Sequence, residues 1–407
     1  MPRRIIKPFE DFFKYEAAGG ILLLIFAAAA LAWANSPLGD KYEQVLHCRI
    51  TIGWGGLALT KSLLHWINDG LMTVFFFVVG MEIKRELVIG ELKSVKKAVL
   101  PIGAALGGMV IPALIYFFFN HGTVYLSGWG IPMATDIAFA LGALSLLSNG
   151  KAPKGLAVFL AALAIIDDLG AVLVIAVFYT GRISWIALLT ALGILTALIL
   201  ANRFRKNSTL LFVILGIFLW LAVLKSGLHA TIAGVLLGMT IPVRSAEGSA
   251  EKPMLCRMEH ALQPWVAFGI LPLFALANAG VAVDFSRFGE IINSPVSYGI
   301  IAGLFLGKQA GIFGASYLMI RLKIAKLPNK VNMKQIYGAG LLGGIGFTMS
   351  IFITTLAFPA NGILATAKIS IIAASLLSAM AGLSVLALQD STKKDRIKKA
   401  SLKKGLA

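Results

Sequence analysis

The chain has 407 residues, 58% of them hydrophobic and 14% charged, with a mean hydropathy of +0.84. This composition excludes an ordinary soluble domain and fits a polytopic helical membrane protein. The formal net charge of +18 would suit nucleic acid, but the basic residues collect in loops on one side of the topology below, which argues against such a partner.

Apolar windows predict about twelve spans, over 17–34, 62–82, 98–119, 126–147, 155–178, 183–201, 209–224, 227–243, 261–280, 297–320, 335–358 and 363–388. The expected fold class is therefore an all-α polytopic membrane protein, a single domain over 1–407. Arg3, Arg4, Lys7 and Lys14 before the first apolar run imitate a signal peptide. With many spans downstream, an uncleaved first helix is expected. With the N-terminus placed in the cytoplasm, about 29 Lys and Arg fall inside and about six outside, so both termini are expected to be cytoplasmic. Cys48 and Cys256 then lie on opposite sides, and neither a disulfide nor a Cys metal site is expected. The five histidines show no metal-site spacing.

The outside loop 35–61 contains Arg49-Ile50-Thr51-Ile52 and Leu57-Ala58-Leu59-Thr60 around Gly53-Trp54-Gly55-Gly56. The pattern predicts a β-hairpin. Its free edge, over 45–60, could pair with a second copy and make a homodimer. Span 2 carries Asp69, which either lines an access path or sits at the outer interface. At its inner end, Glu82 and Glu86 lie four apart on one helix face. Glu259-His260 begins span 9 on the same side. Together these groups could form a pH-responsive cluster.

Span 4 reads Gly130-Ile131-Pro132-Met133-Ala134-Thr135-Asp136 before an apolar helical pattern resumes. That is the pattern of a broken helix whose second half Thr135 or Asp136 caps. Asp136 there could balance the positive ends of half-helices. Span 5 holds Asp167 and Asp168 in the middle of an apolar run. Each carboxylate costs roughly 2.5–3.5 kcal/mol at that depth, so the pair marks an ion or proton site. Successive helical residues point ~100° apart, so one aspartate can face a fixed countercharge and the other a cavity. His229 reads as a helix-interface histidine.

Span 10 supplies a countercharge, Lys308. A lysine beside an aspartate offsets the cost of burying it. Span 11 is interrupted at Gly343-Gly344-Ile345-Gly346 before Thr348. Spans 3–5 (98–178) and 10–12 (297–388) are candidates for internal repeats, inverted because seven spans separate them. A basic tail over 389–407 ends the chain and suits anionic lipid headgroups.

The segments Ala134-Thr135-Asp136-Ile137-Ala138-Phe139-Ala140 and Ala164-Ile165-Ile166-Asp167-Asp168-Leu169-Gly170 resemble the NhaA family of bacterial Na+/H+ antiporters. So do Trp66-Ile67-Asn68-Asp69, Gly80-Met81-Glu82-Ile83-Lys84-Arg85-Glu86, Ser226-Gly227-Leu228-His229 and Gly344-Ile345-Gly346-Phe347-Thr348. The resemblance runs nearly end to end. Interrupted spans in corresponding halves mark inverted-repeat transporters, of which that family is itself an example.

The resemblance implies twelve helices, crossed broken helices in spans 4 and 11, and electrogenic, pH-regulated exchange in a bacterial inner membrane. Na+ or Li+ would leave for more than one entering H+, with no cofactor. By the same resemblance, Asp168 is the main Na+ ligand and Asp167 the proton-carrying partner that pairs with Lys308. Thr135 lies near the ion, and Asp136 and Lys308 balance half-helix dipoles. Glu82, Arg85, Glu86, Glu259 and His260 fall where the family places pH sensing. Gln309-Ala310 stand where Pro-Leu is familiar, and Gln263 stands where some members have His.

Two rival classes fit less well. An intramembrane aspartyl protease would use Asp136 and Asp167 as its dyad, but the chain has no GxGD, and Pro112-Ala113-Leu114 precedes both aspartates. The expectation is a transporter, not an enzyme. A passive channel would carry current without coupled proton movement, and a scaffold would leave the buried charges unexplained.

Overall fold

Backbone N–H and C=O groups have no water to bind in lipid, so spanning segments must satisfy them internally. The computed structural model describes residues 3–53, 58–147, 153–181, 183–204, 208–243, 252–282, 286, 288–358 and 362–404. These form helices and one two-stranded ribbon.

The chain opens with α1 (Arg3–Ala34) and α2 (Gly39–His47), then β1 (Arg49–Ile52) and β2 (Leu59–Ser62). Next come α3 (Leu63–Val88) and α4 (Val95–Asn120). A 3₁₀ segment, Leu126–Met133, precedes α5 (Ile137–Leu147). Then follow α6 (Lys154–Phe178), α7 (Trp185–Arg203), α8 (Thr209–Ser226) and α9 (Thr231–Thr240). The chain ends with α10 (Met254–Asn278), α11 (Pro295–Arg321), α12 (Met333–Leu342), α13 (Phe347–Ala357) and α14 (Ile363–Lys404).

The all-α membrane class holds. Eight described helices are long and apolar enough to cross a bilayer, or up to ten if each of two bent pairs is one span. Length and composition therefore support eight to ten of the twelve expected spans. The remaining two windows hold the 3₁₀ segment with α5, and α9 with its ten residues. Helix α6 lies at the centre: 67% of its most apolar stretch is buried, against 11% for the peripheral α7.

Two seams of small residues draw the helices together. In α4 and α11, Gly107 and Gly311 face each other, and a Cβ on Gly107 would lie 2.4 Å from the Gly311 carbonyl. In α3 and α9, a Cβ on Gly80 would lie 2.7 Å from the Val235 carbonyl, and one on Gly238 2.6 Å from the Phe77 carbonyl. Backbones meet at these seams, as in small-residue packing between membrane helices.

Among the described residues, three helices contain a π-helical turn: Trp66–Leu71 in α3, Val266–Ile270 in α10 and Ala302–Gly307 in α11. Such turns leave main-chain groups off the regular ladder and occur often at functional positions. The first includes Asp69 and the third ends immediately before Lys308.

Strands β1 and β2 pair antiparallel, Arg49 opposite Ser62 and Ile52 opposite Leu59. The second strand begins two residues later than its sequence pattern suggests, and Trp54 to Leu57 of the turn lie outside the described residues. The ribbon is tied to α3 by Trp66, whose indole N–H donates to the Ile50 carbonyl at 3.1 Å.

Gly107→Ala should lower the thermal stability of the purified protein by about 1–3 kcal/mol, the usual cost of overpacking. Gly314→Ala should not, because nothing lies within 4 Å of its added Cβ. Thermal unfolding in detergent compares the two; equal stability would disprove backbone contact at the α4–α11 seam.

Candidate functional site

The site is built where α6 passes the breaks in two other segments. Before α5, the 3₁₀ segment ends at Met133 and the chain is extended at Ala134. Between α12 and α13 the axis bends by 45°. Main-chain groups freed at one break bond to the other. The Asp136 N–H donates to the Ile345 carbonyl at 2.7 Å. The Thr135 hydroxyl donates to the Gly343 carbonyl at 2.8 Å. The Ser350 hydroxyl returns the contact, donating to the Ile131 carbonyl at 2.8 Å.

Asp136 is 2% exposed and fully engaged. Its Oδ1 accepts the Phe139 N–H at 3.0 Å, capping α5. Its Oδ2 accepts the Thr348 N–H at 3.0 Å and also the Thr348 hydroxyl, at the start of α13. One carboxylate thus meets the N-terminal ends of two half-helices, where negative charge is favoured. On the far side, the Ser375 hydroxyl of α14 accepts the N–H groups of Gly346 and Phe347 at 3.3 and 3.2 Å. This supplies the cap that Gly346 itself cannot provide.

Asp167 and Asp168 are 1% and 2% exposed, and Lys308 is 0% exposed. Lys308 Nζ donates to Asp167 Oδ2 at 2.8 Å. Thr135 lies beside Asp167. With its proton given to Gly343, its oxygen keeps a lone pair to offer. Asp167 Oδ1 and Asp168 Oδ1 are buried with no hydrogen-bond partner among the described residues. Buried acceptors of this kind are rare and demand an explanation. Carboxylate and hydroxyl oxygens are the donors that a hard cation takes. The group can therefore hold a small cation or a proton, with Lys308 as a built-in competitor for one carboxylate.

The structure gathers some of the remaining candidates and separates others. Arg85 sits 3.2 Å from Glu86 and 3.4 Å from Glu259, and Glu82, 7% exposed, is close enough to feel its charge. His260 is exposed, unlike the buried Glu259 beside it. Asp69 pairs with His65 at 2.9 Å, and His229, between α8 and α9, is near both.

Sequence reasoning missed Ser375, Ser350 and the bridging contacts of Gln309. The Gln309 amide donates to the Phe305 carbonyl at 2.6 Å and accepts the Tyr337 hydroxyl at 2.6 Å, linking α11 to α12. The available signal was polarity within apolar runs: Ser375 and Ser378 in span 12, and Tyr337 at the start of span 11.

The profile of a family described as Na+/H+ antiporter 1 matches residues 10–386. The chain is 55% identical to a Na(+)/H(+) antiporter NhaA 2 of Clostridium beijerinckii, over 93% of this chain and 94% of that one. It is 48% identical to a Na(+)/H(+) antiporter NhaA of Psychrobacter cryohalolentis, over 98% of each. A Na(+)/H(+) antiporter NhaA of Haemophilus influenzae is 47% identical over 96% of each. A match over nearly the whole length, joined to the paired breaks and the buried Asp–Asp–Lys group, shows that the chain belongs to the NhaA family of Na+/H+ antiporters.

Proposed function

We propose that this protein exchanges Na+ or Li+ for more than one proton across a bacterial inner membrane. The observation that carries the reading is the unpartnered Asp168 oxygen beside a Lys308–Asp167 pair sealed from solvent. Three buried groups that can trade charge suit a carrier of two cations better than a static core.

The exchange is a competition. Asp168 contributes oxygen to Na+, with Thr135 near the ion, while Asp167 either pairs with Lys308 or takes up a proton. Na+ and protons exclude one another at the same carboxylates. Opening the site to each side in turn exchanges them. Because two carboxylates titrate, more than one proton can enter per Na+, and net charge moves inward. That movement draws on the membrane potential, worth ~2.3 kcal/mol per charge per 100 mV. Asp136 and Lys308 hold the charge balance of the half-helices.

We assign spans 3–5 and 10–12 to inverted repeats, with the broken spans 4 and 11 crossing at the site. Arg85, Glu82, Glu86 and Glu259, with His260 nearby, form the pH-responsive group at the inner end of α3 and α10. Asp69 lines the outer approach. The ribbon of β1 and β2 joins two copies, and both termini are cytoplasmic.

Asp168→Asn should abolish Na+-driven proton movement in proteoliposomes, measured by a pH-sensitive dye. Exchange that survives the change would remove Asp168 from the ion site. A channel would instead pass Na+ current with no proton signal. Lys308→Ala removes the positive charge that favours ionised Asp167. Its activity profile should therefore move to higher pH, and an unmoved half-maximum would rule out the Asp167–Lys308 pair as the titrating element.

A further inference from the structure

Away from the ion site, three chain segments enclose a cavity of about 490 Å³. They are the first two turns of α4 with the residues before it, the N-terminal turns of α6 from Lys154 to Ala162, and the loop that follows α11. Its floor is apolar: Leu100 and Pro101 from α4, and Val158, Phe159 and Ala162 from α6. Its rim is basic: Lys96 and Lys97 from α4, Lys154 from α6 and Lys326 from the loop. The single acid on the rim, Glu91, is already paired with Lys97 at 2.9 Å. Lys96 and Lys326 have no ion-pair partner among the described residues.

The cavity is built rather than incidental. Its wall depends on a close approach: a Cβ on Gly155 would lie 2.6 Å from the Asn329 carbonyl. The loop is fixed on either side of Lys326 by left-handed backbone at Lys323 and Lys330, with φ of 58° and 62°. Such backbone is uncommon for L-residues. Both helices also start at the cavity without an acid in the first turn, and neither Ser94 nor Pro153 supplies a side-chain cap. Their first N–H groups add to the positive field of the rim.

We infer that this cavity binds the phosphate of an anionic phospholipid, with the start of its acyl chain on the apolar floor. Several donors around one concavity suit a tetrahedral anion with several oxygens, and lysine serves phosphate as a point charge. The volume is that of a small-ligand site. A carboxylate or halide would leave the floor uncovered, and a neutral lipid would leave the rim unbalanced. The site is separate from the ion pathway residues, yet Ala162 lies on the same helix as Asp167, about 7.5 Å along the axis.

The test uses the full chain in detergent and measures binding of short-chain phosphatidylglycerol, short-chain phosphatidylcholine and inorganic phosphate. Phosphatidylglycerol should bind tightest, and the Lys96→Gln/Lys326→Gln variant should bind it about tenfold more weakly. Equal binding by wild type and variant overturns the site. Equal binding of phosphatidylcholine overturns its charge selectivity. Inorganic phosphate that competes as well as phosphatidylglycerol overturns the lipid assignment in favour of a free anion. The substitutions lie on an exposed rim. Na+-driven proton movement of the same variant in purely zwitterionic vesicles should match wild type, so this inference and the antiport reading stand or fall separately.

Discussion

Opposite charges 2.8 Å apart, with neither side chain reaching solvent, dominate the energetics at the centre of this molecule. Burying a lysine or an aspartate alone costs several kcal/mol; their mutual attraction recovers much of that only while the pair is intact. Anything that separates Lys308 from Asp167 must therefore bring a replacement charge. In the proposed exchange, a proton on Asp167 or a cation at the adjoining oxygens would supply it. The proposed exchange chemistry rests on this constraint more directly than on the shape of the bundle.

The surrounding architecture keeps the pair in place while consuming few of its lone pairs. Asp136 does the opposite work from Asp168. It is surrounded by Phe139 and Thr348 donors and spans two helix starts. Asp168, as deeply buried, has an oxygen without a donor among the described residues. Two aspartates of equal burial are thus separated by what the neighbouring backbone offers them. Breaking two segments creates the N–H groups that satisfy one acid, and leaves an intact α6 with none to give the other.

Much of this was legible in the sequence because the signals were expensive ones. Asp167, Asp168 and Lys308 stand out against apolar runs, and Gly and Pro before Thr135-Asp136 announce a break. What could not be read was pairing across distant segments. Nothing in the order of residues says that the Thr135 hydroxyl meets the Gly343 carbonyl, or that Ser375 caps a helix on another element. Those depend on the bend between α12 and α13 and on where α14 packs. Adjacency in sequence does not fix burial either: His260, next to the buried Glu259, is turned by one helical step toward the exterior.

The glycine seam between α4 and α11 has a mechanical meaning. Main chain touching main chain cannot be eased by a change of rotamer, so these helices form one stiff plank, with Lys308 three residues from Gly311 along it. Helix α6 rests on the same plank differently: Gly170 faces the flexible thioether end of Met109, a side chain that readily re-forms around a moving neighbour. The carboxylates therefore ride on the softer bearing and the lysine on the harder one.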